Sequence, residues 1–172
     1  VNKFLLPLLF LCLFIIESLF VQFLPGDLFG HTRIAAPRFL FSTLLLLAIF
    51  VGRKQAIMYA AIFGFIFDIV YVEILGIYLF LFPFITYLIS KIMHVLQANL
   101  IVSFFVSLLG VALLEVGVYE MNYLIHVTDL DFLSFVNIRL YPTLLLNAGF
   151  LLFACYPLKR VFDKIAVGLR DE

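Results

Sequence analysis

The chain has 172 residues, 66% of them hydrophobic and 13% charged, with a mean hydropathy of +1.22. A soluble domain is about 45–50% apolar and about 25% charged, so a water-soluble core cannot hide this much apolar side chain and the bilayer is the solvent for most of the surface. Eleven basic residues balance eleven acidic ones, which argues against nucleic-acid binding, since that requires a basic stripe.

A membrane-crossing helix needs about 20 apolar residues, within a range of about 17–25. The first such run is Phe4–Leu24. Lys3 ahead of it resembles the start of a signal peptide. The run is longer than the roughly 7–15 residues of a signal h-region, however, and no small-x-small cleavage site follows, so it reads as a retained span. A polar stretch, Pro25–Arg38, opens on the strong breaker Pro25-Gly26 and carries Asp27, Gly30, His31 and Arg33. Span two is predicted over Arg38–Val51, stopping at Gly52-Arg53-Lys54; it is short unless Ile34–Ala36 contribute. Span three follows at Gln55–Val72 and span four at Ile74–Ser90, with only Val72-Glu73 between them. That pair demands a very tight hairpin or two shallow half-spans. Span five, Asn99–Ile125, is long enough to tilt or project beyond the membrane. A polar loop, Val127–Arg139, precedes span six at Leu140–Pro157, and the tail from Lys159 is charged. The prediction is a single all-α membrane domain over residues 1–172, a polytopic bundle of about six spans.

Orientation follows from Lys and Arg. With the N-terminus in the cytoplasm, the inner segments hold Lys3, Arg53, Lys54, Lys91, Lys159, Arg160, Lys164 and Arg170, against Arg33, Arg38 and Arg139 outside. The bias places both termini inside, and Asp27, Glu73, Asp129 and Asp131 outside.

Span three carries the clearest constellation. Ala56, Ala60, Gly64 and Asp68 recur every fourth residue and therefore line one helical face. Small residues at this spacing let helix backbones approach closely. They predict a docking seam for a partner helix or a neighbouring span, with Asp68 as its polar anchor; the competing reading is a hydrated Asp68 at the membrane interface. A carboxylate at bilayer depth persists only with a partner or a role. Gly76 is a candidate for the tight turn into span four. Glu17, Glu115, Tyr119 and Asn147 are polar groups within spans, and such groups face the bundle interior or a wet cavity. They read either as hydrogen-bonded structural glue or as walls of a shared polar cavity.

No arrangement in the sequence supports catalysis or a cofactor. His31, His94 and His126 are isolated, and no HExxH, phosphate loop, GxSxG elbow or GxGD pattern occurs. Cys12 and Cys155 lie in apolar runs without a CxxC pair and read as buried thiols. The expectation is no enzyme, no metal and no cofactor.

Several segments together resemble one family. They are Pro37-Arg38-Phe39-Leu40 at the opening of span two, the run Ala60 to Asp68, Leu75-Gly76, Tyr87-Leu88, the stretch Tyr141-Pro142-Thr143 to Asn147, and the Arg170-Asp171-Glu172 terminus. In this order, over nearly the whole length, they resemble the rod-shape-determining MreD family in its Bacillus-type form. The resemblance implies a non-enzymatic plasma-membrane subunit of the cell-elongation machinery that makes peptidoglycan. It implies MreC as direct partner and RodA, a class B penicillin-binding protein and the MreB filaments as indirect ones. It also implies a fold similar to the six-helix substrate-binding component of energy-coupling-factor vitamin transporters.

Two functions are consistent with this reading. One is a scaffold that holds MreC, through the seam at Ala60, Gly64 and Asp68; a Gly64→Leu substitution is then expected to weaken assembly without unfolding the bundle. The other is a vitamin-capturing transporter subunit. Such subunits dock their coupling partner through an Ala-x-x-x-Ala-like face on the first span. Span one here has no alanine, and the nearest match, Ala56-x-x-x-Ala60, lies in span three. A shared fold would not by itself decide between the two.

Overall fold

The structure is a computed structural model describing residues 4–23, 32–72, 74–97 and 99–170. Pro25-Gly26, Asp27, Gly30, His31, Glu73 and the terminal Asp171-Glu172 lie outside the described residues. Every regular element of the described chain is helical, in the order α1 (Leu5–Phe23), α2 (Phe39–Phe50), α3 (Arg53–Tyr71), α4 (Ile77–Val95), α5 (Leu100–Leu124), a single turn α6 (Phe132–Phe135), a π-helical turn (Val136–Leu140) and α7 (Tyr141–Arg170). Five helical runs are long and apolar enough to cross a membrane; α2 is shorter.

α2 is the centre of the bundle. Every residue from Phe39 to Ala48 is buried, and the helix touches α1, α3, α4, α5 and α7. A helix that is apolar all round has no face for water and is covered on all sides. Its 12 residues reach only about 18 Å, against about 30 Å of hydrocarbon. The non-helical segment 33–38 leads into α2, so the region expected as the second span holds a short helix preceded by non-helical chain.

α3 and α4 form the most extensive pairing in the bundle. Both have 19 residues, about 28 Å at 1.5 Å per residue, so each is long and apolar enough to cross a membrane. The turn between them closes through Gly76, whose φ of +118° lies in the left-handed region that favours glycine. α1 is the peripheral helix. It is tied to α3 by aromatic pairs, Phe10 with Tyr59 at 5.3 Å and Phe14 with Phe67 at 5.5 Å, and by a hydroxyl–hydroxyl hydrogen bond between Ser18 and Tyr71. Cys12 lies on the exposed face of α1, which corrects the expectation of a buried thiol there; Cys155 is buried.

Two expected boundaries change. The polar loop 127–139 is partly helical. Asp131 caps α6 by accepting from the Ser134 N–H at 3.2 Å, and its hydrogen bonding to Ser134 holds its pKa below the ordinary 3.8. The helix expected to end at Pro157 continues past it, with α7 running on to Arg170. Phe162 and Ile165 on that extension are buried against the core, and this packing holds the charged tail helical beyond the proline.

Candidate functional site

The polar residues of the spans converge at one end of the bundle, the end that holds the N-termini of α2, α4 and α7 and the C-terminal portions of α1, α3 and α5. Segment 33–38 runs there as an extended chain between helices. The residue before a proline is driven out of the helical region, so Pro37 keeps this segment from joining α2. Non-helical backbone at membrane depth survives only where protein satisfies its polar groups, and here α7 and the π-turn do so. Ile34 N–H donates to the Ile138 carbonyl at 2.8 Å. Ala36 N–H donates to Thr143 Oγ1 at 3.0 Å, and Asn147 Nδ2 donates back to the Ala36 carbonyl at 3.0 Å. Arg38 N–H donates to Asn147 Oδ1 at 2.8 Å. Bonds at residues 34, 36 and 38 are the period-two alternation of an extended strand. Ile138 sits within the π-turn.

Two carboxylates supply helix caps from other helices. Glu17 on α1 accepts from Leu40 N–H at 2.9 Å, in the first turn of α2. Asp68 at the end of α3 accepts from Gly76, Tyr78 and Leu79 N–H, each at 2.9 Å. The first turn of a helix has N–H groups without intrahelical partners, and its positive dipole end favours an anion. This is the physical account of a fully buried Asp68, and it excludes the hydrated interfacial reading.

Arg38 is the hub. Its Nε donates to Glu115 Oε1 at 2.6 Å and its Nη2 to the Tyr78 hydroxyl at 2.7 Å. Glu115 is fully buried and accepts a second bond from Arg139 Nε at 2.8 Å. One carboxylate on α5 thus ties the approach to α2 to the π-turn before α7. Arg38, one of the three bases expected outside, is buried within the bundle. The sequence held a signal for this, since an acid in the middle of span five needs a cation, and Arg38 and Arg139 are the bases flanking spans on that side.

The other predicted residues fall as follows. Ala56, Ala60, Gly64 and Asp68 share one buried face of α3. A Cβ on Gly64 would stand 2.5 Å from the Tyr78 carbonyl oxygen, so the close approach made there is to α4 of the same chain. Gly64→Leu would therefore disrupt the α3–α4 pair, and the expectation that it leaves the bundle folded is corrected. Asn147 joins the Arg38 network. Tyr119 does not bond Glu115 one turn away. Its hydroxyl donates to the Leu130 carbonyl at 2.8 Å and its ring stacks on Phe135 at 4.2 Å. Thr143, Tyr78 and Arg139 are members that the sequence reading missed.

A cavity of about 250 Å³ opens beside the hub, lined by Glu17, Ile34, Arg38, Tyr71, Tyr78 and Arg139 among others. Among the described residues no group of His, Cys, Asp and Glu has the arrangement of a metal site.

These features define a multi-pass helical membrane protein whose intramembrane charges bind one another and buried backbone. The family model for rod shape-determining protein MreD matches residues 2–163. The chain is 36% identical to the rod shape-determining protein MreD of Bacillus subtilis (strain 168) over 171 residues, 99% of each chain. It is 26% identical to the cell shape-determining protein MreD of Streptococcus pneumoniae (strain ATCC BAA-255 / R6) over 139 residues, covering 81% of this chain and 84% of that one. The chain belongs to the MreD family. No solved structure matches it.

Proposed function

We propose that the chain is a non-catalytic scaffold subunit of the cell-elongation complex in a bacterial plasma membrane. It binds MreC and, through MreC, works with RodA, a class B penicillin-binding protein and MreB. The observation that carries this reading is the use made of the intramembrane charges. Asp68 holds three N–H groups, Glu17 holds one, and Glu115 holds two arginines. Groups engaged in this way set a rigid frame, as a scaffold needs, and are poorly placed to transfer protons or attack a substrate. The end-to-end similarity to two curated cell-shape proteins supports the same assignment. Both termini face the cytoplasm in this proposal, in keeping with the Lys and Arg distribution.

The cavity beside Arg38 favours a second reading, a subunit that captures a small molecule for transport. Its polar walls and its opening between helices are features of ligand sites.

Copurification separates the two. The tagged chain, expressed at native level and extracted in mild detergent, is expected to bring down MreC and wall synthases identified by mass spectrometry. Recovery of ATP-binding-cassette ATPases with a coupling subunit, and no MreC, would overturn the scaffold.

A further inference from the structure

The opposite end of the bundle holds a second, larger cavity. It measures about 540 Å³ and lies between the C-terminal ends of α2 and α4 and the start of α3. Arg53, Ser90, Lys91 and His94 form its polar and charged lining, and Ala48, Ile49 and Met93 its apolar floor. Among the described residues no acidic side chain lines it. Among the described residues, the ion pairs are those of Arg38 and Arg139 with Glu115, at the far end.

Local helix electrostatics account for only part of this cluster. The last turn of α4 favours a cation by itself, which explains His94. Arg53 opens α3, where the helix dipole disfavours a cation. Its guanidinium is nevertheless held in place, 5.4 Å over the Tyr87 ring of α4. The N-cap of α3 is Gly52, which supplies no side-chain hydrogen bond to the first turn. A Cβ built on Gly52 meets nothing within 4 Å, so this helix start faces open space. An anion at that point would be attracted by uncapped N–H groups, a pinned arginine and a lysine together.

We propose that this cavity is a binding site for the phosphate headgroup of an anionic phospholipid. The phosphate sits among Arg53, Lys91 and His94, and the upper acyl chain follows the apolar floor at Ala48 and Ile49. The cavity volume lies within the range of about 300–1,000 Å³ usual for ligand pockets, and basic pockets between spans on the cytoplasmic side are a known form of lipid headgroup recognition. A lipid suits the apolar floor and the membrane-end position better than free phosphate does. The proposal depends on neither partner nor transported substrate.

Native mass spectrometry of the full chain in mild detergent tests it, with phosphatidylglycerol and phosphatidylcholine of the same acyl chains as probes. Phosphatidylglycerol is expected to bind more tightly. Arg53→Gln and Lys91→Gln should each weaken it about fivefold, and about 25-fold together, from the usual contribution of one basic side chain near an anionic headgroup. Lys54→Gln removes a neighbouring charge that does not line the cavity and should leave binding unchanged. Thermal unfolding of each variant in phosphatidylcholine confirms that it is folded, and Lys91, exposed at the end of its helix, gives a single variant independent of α3. Equal binding of the two lipids would overturn the proposal. So would a loss in Lys54→Gln as large as that in Arg53→Gln, which would mean diffuse surface charge. Displacement of phosphatidylglycerol by inorganic phosphate would reassign the cavity to a soluble anion.

Discussion

At the scale of single residues, Glu115 decides most. It faces two arginines in a buried setting, and removing one partner of such a set leaves uncompensated charge. Glu115→Ala is expected to destabilise the bundle by about 3–5 kcal/mol, read as a loss of unfolding free energy in mild detergent. Thr86 is the contrasting position, because its hydroxyl is buried without a hydrogen-bond partner. Thr86→Val removes an unsatisfied group at constant shape and should be neutral or stabilising in the same assay. Asp68 gives a graded test. Its two oxygens accept three backbone N–H bonds, whereas an amide offers one oxygen. Asp68→Asn should cost about 1–3 kcal/mol by leaving donors unpaired; the amide oxygen keeps the Gly76 and Leu79 bonds by taking the place of Oδ2, so hydrogen exchange should rise first at Tyr78. Unchanged exchange there would sever Asp68 from its capping role.

At the scale of elements, two close approaches differ in what they meet. A Cβ on Gly64 strikes backbone of α4, while a Cβ on Gly110 strikes the side-chain ends of Leu45 and Ile89. Side chains swing aside and backbone does not. Gly64→Ala is therefore expected to lower the unfolding temperature more than Gly110→Ala does, and the reverse order would contradict the α3–α4 packing described above. The π-turn is the other decisive element. Its Ile138 carbonyl takes the Ile34 N–H, and its Arg139 reaches Glu115. Deleting Asn137, which is exposed, would tighten the turn toward α-helix and rotate what precedes it by about 100° relative to α7. The deletion should swing Phe135 out of its stack on Tyr119 and destabilise the bundle, while Asn137→Ala should be tolerated. Equal stability of the two variants would remove any role from the π-turn.

At the scale of the whole molecule, charge is divided between the ends. One end carries Arg53, Lys54, Lys91, Lys159, Arg160 and Lys164; at the other, Arg38 and Arg139 are engaged by Glu115. Arg33 apart, the unpaired positive charge among the described residues is therefore concentrated at a single end, the end proposed above to face the cytoplasm. Cysteines placed at Lys54 and Lys164 should be shielded from an impermeant maleimide in intact cells, and one at Leu133 should react. The opposite pattern would invert the topology and move the proposed lipid site to the outer leaflet.

The sequence by itself determined the helical class, the family and most helix positions. The helical class and the helix positions rest on composition and on runs of apolar residues, which are local quantities, and the family rests on the resemblance of several short segments in order. The face shared by Ala56, Ala60, Gly64 and Asp68 was also legible, because spacing alone puts residues on one side of a helix. Its partner was not, since small residues report that a backbone comes close and do not say which one. Only the tertiary structure decided that α4 fills that place. It also decided that Arg38 belongs to the buried interior, that Glu17 caps a helix other than its own, and that a non-helical segment leads into α2. These outcomes depend on which donors and acceptors meet across helices 23 to 111 residues apart in the chain. A buried polar group must find a partner, but a linear sequence records only that the need exists.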